Sequence, residues 1–68
     1  MGHKVGDTVF VADRGQNKVF CVKIVAIHSK KGFGVWYEVK GKDYTDSCVL
    51  HNHIYNDFYH AKKWLDKN

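Results

Sequence analysis

Cys48, His51, His53 and His60 crowd the last third of the chain as C-x2-H-x-H-x6-H. Zinc takes such thiol and imidazole donors in fours. The spacing departs from the familiar ligand pairs, however. Cys48 shares strand parity with Leu50, which reads as a small core position. The histidines then read as surface groups, and no metal or other cofactor is expected. Catalytic sets are equally thin. Asp43 and Asp46 fall on opposite faces of one strand. Cys21 or Cys48 could pair with a histidine as a nucleophile, but no helix N-terminus or basic pocket is in view to make either thiol acidic. Gly32-x-Gly34 is a turn that opens no helix, so it is no phosphate loop. So short a chain also offers little concave volume for a substrate. The expectation is a protein that is not an enzyme and has no small-molecule substrate.

Aromatic and basic residues carry the remaining chemistry. Rings make up 15% of the chain, enough to fill a small core and leave a few for contact. Phe20 and Tyr37 alternate with polar neighbours and read as core. Trp36 points away from Tyr37 and Val39, either outward or beneath a C-terminal helix. The net charge is +4, unevenly spread. Residues 14–42 hold Arg14 and six lysines against Glu38 alone, while the flanking stretches 1–13 and 43–56 are acidic. Arg14, Lys18, Lys40 and Lys42 fall at one end of the expected fold, with Tyr44 nearby. Lys30 and Lys31 fall at the other end. The basic end permits nucleic-acid contact, but charge divided between two ends is also the ordinary pattern of a solvated surface.

These side chains need a scaffold, and 68 residues allow one domain over residues 1–68. A chain this short buries only about 60% of its unfolded surface. No segment approaches the roughly 20 apolar residues of a membrane span. Met1-Gly2-His3-Lys4 lacks the apolar run of a signal peptide. The expectation is a cytoplasmic protein with no membrane partner, its two cysteines reduced.

Proline is absent, so turns rest on Gly, Asn, Asp and Ser. Thr8 to Val11 forms a first strand with Val9 and Val11 inward. Asp13-Arg14-Gly15-Gln16-Asn17 is a loop. From Lys18 to His28, Phe20, Val22 and Ile24 share a face, and then the parity changes to Val25 and Ile27. One straight strand cannot bury both sets. A bulge near Val25-Ala26 is expected. Val35, Tyr37 and Val39 mark a third strand, Gly41-Lys42-Asp43 a hairpin loop, Tyr44–Leu50 a fourth strand and Ile54-Tyr55 a short fifth. Asn56 or Asp57 caps a helix over about 57–66, with Phe58, Ala61 and Leu65 toward the strands and lysines late.

Five short strands and one helix predict a mainly β fold. Val5-Gly6-Asp7-Thr8-Val9-Phe10-Val11, Val22-x-Ile24-x-x-Ile27 and Trp36-Tyr37-Glu38-Val39-x-Gly41 resemble the SH3-like barrels of the Tudor, chromo-barrel and KOW type. The likeness spans residues 4–50 and implies a five-stranded barrel with a short C-terminal helix. Tudor-like domains enclose methylated lysine or arginine in aromatic cages. Phe20, Tyr37 and Tyr44 occupy family-like places. The loop Ala12–Asn17, where the family carries a further ring, holds none. The tail Ile54-Tyr55-x-Asp57-x-x-x-Ala61-x-x-Trp64-Leu65 looks like the ending of small bacterial and phage proteins of no assigned role. The sequence therefore points to a non-catalytic binding module that contacts a protein partner through Trp36, Phe20, Tyr44 and Tyr37. The alternative is a nucleic-acid-binding barrel using Arg14, Lys18, Lys40 and Lys42.

Overall fold

The computed structural model describes residues 3–67. Five antiparallel strands follow the order of the chain: β1 (Thr8–Asp13), β2 (Lys18–Lys30), β3 (Gly34–Lys40), β4 (Thr45–Leu50) and β5 (Ile54–Tyr55). A 3-10 turn over His51–His53 joins β4 to β5, and α1 (Phe58–Lys67) ends the chain. The order across the sheet is β4-β3-β2-β1-β5. The mainly β class and the C-terminal helix match the sequence reading. Closure does not: β4 and β5 form the two open edges of one sheet, and β5 has only two residues with which to pair.

One face of the sheet carries the core. Val9 pairs with Val22, Val11 with Phe20 and Ile54, Ile24 with Val39, and Tyr37 with Val49. All nine are buried in one cluster. Branched and aromatic side chains suit these cross-strand pairs.

Two bulges decide which residues face outward. In β2 the register shifts between Ile24 and Ala26. Val25 is the extra residue and is 48% exposed; Ile24, opposite Val39, is buried, and Ile27, opposite Tyr37, regains the inner parity but is still 37% exposed. The parity change in the sequence thus has the expected cause. A second bulge was not anticipated. Tyr37 opposes Val49 and Val39 opposes Asp46, so β4 carries an extra residue at Ser47–Cys48. Asp46 Oδ1 accepts the Cys48 N–H at 3.0 Å there. The bulge reverses the parity of the rest of β4. Val49 goes inward, and Cys48 and Leu50 go outward, contrary to the expectation that both lie inside.

The helix lies on the opposite side of the sheet from that core. Phe10, whose parity is opposite to Val9 and Val11, meets Phe58 edge to face at 6.3 Å between centroids. Ala61 and Leu65 are buried as α1 packs on β1, β2 and β5. Asp57 caps the helix: Oδ1 accepts the His60 N–H at 2.8 Å. These bonds hold the Asp57 carboxyl below the usual carboxylate range. Among the described residues no helix is long and apolar enough to cross a membrane.

Candidate functional site

The four ring positions singled out in the sequence separate in space. Tyr37 is 2% exposed, and its hydroxyl lies 2.9 Å from His51 Nδ1. Burial pushes the Tyr37 phenol up. Phe20 is 7% exposed and stacks on Tyr44 at 4.8 Å. Lys18 Nζ sits 5.5 Å from the Phe20 ring centre. The Tyr44 hydroxyl donates to Asp46 Oδ2 at 3.0 Å. Burial and then this carboxylate raise its phenol to about 12. A parallel stack at 4.8 Å leaves no slot between the two rings for a cation. Phe20, Tyr37 and Tyr44 belong to the core and its margin.

Trp36 stands on the other face. Cross-strand pairing sets His28, Trp36 and Leu50 in one row across β2, β3 and β4. The His28 ring stacks on Trp36 at 5.6 Å and 22°. His28 Nε2 is held 2.6 Å from Glu38 Oε2. Both partners are substantially solvated, so the pair adds little stability. Its structural effect is to hold the imidazole flat against the indole. The helix packs on β1, β2 and β5, so Trp36 is not its main support, and one side of the indole opens onto a groove.

That groove has a volume of about 330 Å³ and is lined by Lys30, Phe33, Trp36, Cys48 and Leu50. Phe33 is 71% exposed and Leu50 50%. Three elements build it. The β2–β3 turn lifts Phe33 out of the sheet, where Lys30 Nζ lies 5.1 Å from its ring centre. Strand β3 supplies Trp36. The β4 bulge turns Cys48 and Leu50 to the same side. Large apolar groups exposed together, with one cation at the end, are what a contact surface requires.

The basic residues are also divided. Arg14 lies over the Trp64 ring at 4.6 Å, and Lys18 is over Phe20. Lys40 pairs across strands with Lys23, and Lys42 follows in the β3–β4 loop. A wider cleft of about 470 Å³ between β5 and α1 is lined by Ile54, Tyr55 and Trp64 together with Asp57, His60, Lys63 and Lys67. Asp57 Oδ2 lies 2.7 Å from His60 Nδ1 as part of the cap. The three late histidines lie with different neighbours: His51 with Tyr37, His53 beside Trp64, and His60 with Asp57. Among the described residues no three metal-binding side chains converge.

Phe33, Cys48 and Leu50, which line the groove, were not among the residues singled out in the sequence for partner contact. A signal was present for Phe33, a large ring inside a turn bounded by glycines. For Cys48 and Leu50 the signal was the conflict of parity between them and Val49. Protein-family models, curated proteins and solved structures were all compared with the chain, and none of them matches it.

Proposed function

We propose that the chain is a non-catalytic protein-binding module, an SH3-like barrel left partly open, whose contact face is the groove of Phe33, Trp36 and Leu50. The barrel reading is supported by the core. Inner side chains of all five strands are buried in one cluster, although the helix lies on the other face. A sheet that shields its own inner face must curl around it, and the bulge at Val25 gives the long β2 its bend. The single observation that carries the binding reading is an apolar groove left open on the outer face, beside the edge strand β4.

Magnitudes favour this surface over the other rings. Fully burying a Leu or Phe side chain is worth roughly 1.5–3 kcal/mol. Phe33 and Leu50 retain much of that for a partner, whereas Phe20 and Tyr37 have already used theirs in folding. A random peptide library displayed on phage tests the reading. Peptides should be enriched on the wild-type protein and lost on a Phe33→Ser/Leu50→Ser variant whose amide spectrum remains folded. Equal recovery on both proteins, or recovery on neither, refutes it. Tight, salt-dependent binding of a single-stranded oligonucleotide through Lys23 and Lys40, with no peptide enrichment, would replace it with nucleic-acid binding.

A further inference from the structure

We infer that the cleft between β5 and α1 binds a nucleoside phosphate, with the phosphate on Lys63 and Lys67 and the base on the Tyr55 ring. The site goes beyond the protein-binding reading and shares no residue with the groove of Phe33, Trp36 and Leu50. Two observations carry it.

The first is what one opening brings together. Its helix wall is formed by positions 57, 60, 63, 64 and 67, which recur at helical spacing and so make one stripe. Lys63 and Lys67 stand one turn apart in that stripe. The other wall is Ile54, Tyr55 and Asn56. Tyr55 pairs with Phe10 across the strands, so its half-buried ring stands on the helix side of the sheet. A volume of about 470 Å³ falls within the range of small-molecule sites. An inorganic phosphate would leave most of it empty, whereas a phosphate joined to a flat base would fill it.

The second is how few of these groups are engaged. The ion pairs among the described residues join His28 to Glu38, His60 to Asp57 and Lys62 to Asp66. Lys63 and Lys67 take part in none of them. No side-chain hydrogen bond among the described residues uses Tyr55 or Asn56. One carboxylate lines the cleft, Asp57, and His60 engages both its oxygens. Two ammonium groups, a phenol and an amide therefore border one space with no carboxylate left for them. Arg14, 4.6 Å over Trp64, adds a third cation beside the helix wall. Donors so grouped suit the several oxygens and the negative charge of a phosphate. The base is what a tyrosine face can stack, since every base has a π face. A free nucleotide and a nucleotide within a single strand present the same unit.

The test titrates the full chain with adenosine monophosphate, adenosine, inorganic phosphate and a short oligoadenylate, followed by amide chemical shifts. The monophosphate or the oligoadenylate should move residues 55–57 and 60–67, and adenosine and inorganic phosphate should bind more weakly. Lys63→Gln/Lys67→Gln, which changes only exposed side chains, should weaken binding roughly 10-fold. Tyr55→Leu should weaken it roughly 5-fold, while Lys23→Gln/Lys40→Gln binds as wild type does. Equal affinity for the two phosphate esters assigns the ligand to free nucleotides, and tighter binding of the oligoadenylate assigns it to a strand. The inference is overturned if neither ester shifts these amides at millimolar concentration, if inorganic phosphate binds as tightly as the esters, or if Lys63→Gln/Lys67→Gln binds unchanged. Each of these leaves the protein-binding reading standing, because peptide selection reads a different face.

Discussion

At the scale of single residues, close approach and burial set the constraints. Gly41 opens the β3–β4 loop, where its N–H bonds Tyr44 O at 2.7 Å. A Cβ at this position would stand 2.7 Å from Cys21 O, a backbone atom that cannot swing aside. Gly41→Ala should therefore destabilise the fold by roughly 1–3 kcal/mol. Urea denaturation measures this, and an unchanged midpoint would contradict the close approach. Tyr44 gives a pH dependence with a definite sign. Its phenol rises from 10.0 to about 12, first through burial and then through its bond to Asp46. Below the unfolded value both states are protonated, and the contribution is complete. Between 10 and 12 the unfolded chain releases a proton that the folded chain keeps, so stability falls as pH rises. Tyr44→Phe should flatten that decline in denaturation curves recorded from pH about 9 to 12. The raised Tyr37 phenol would leave a residual slope. A wild-type curve with no decline in this window would contradict the burial of both rings.

At the scale of elements, the two bulges show what the sequence could and could not convey. In β2 the apolar positions themselves change parity, from Ile24 to Ile27, and branched side chains make the break visible. In β4 the stretch Thr45-Asp46-Ser47-Cys48 is small or polar on both parities, so no periodic signal marks the extra residue. Leu50 was therefore assigned inward, and the contact face was looked for in Trp36 together with rings of the inner face. Trp36 was legible because it sits in a clean alternation. The helix was legible through its cap and spacing, although the face it would cover was not, since that depends on Phe10 and the sheet's curl. Leu65 is buried where α1 meets the outer side of β1, β2 and β5. Leu65→Ala should cost about 2–4 kcal/mol and expose the helix amides to early hydrogen exchange. If the helix amides stay as protected as those of β2, α1 does not depend on this contact.

At the scale of the whole molecule, the two faces of one sheet divide the labour. The inner face holds the fold through nine buried side chains. The outer face is covered by α1 over β1 and β5 and left open over β3 and β4. A chain of 68 residues has little spare core, so Phe33 and Leu50 left in solvent form a liability unless a partner covers them. The central claim is that this open half is the contact face, and amide chemical-shift mapping locates contact residue by residue. On titration with a peptide selected on the wild-type protein, the largest shifts should fall at Lys30–Trp36 and Cys48–Leu50. Shifts centred instead on Lys18, Phe20 and Tyr44, or on the cleft between β5 and α1, would contradict the account.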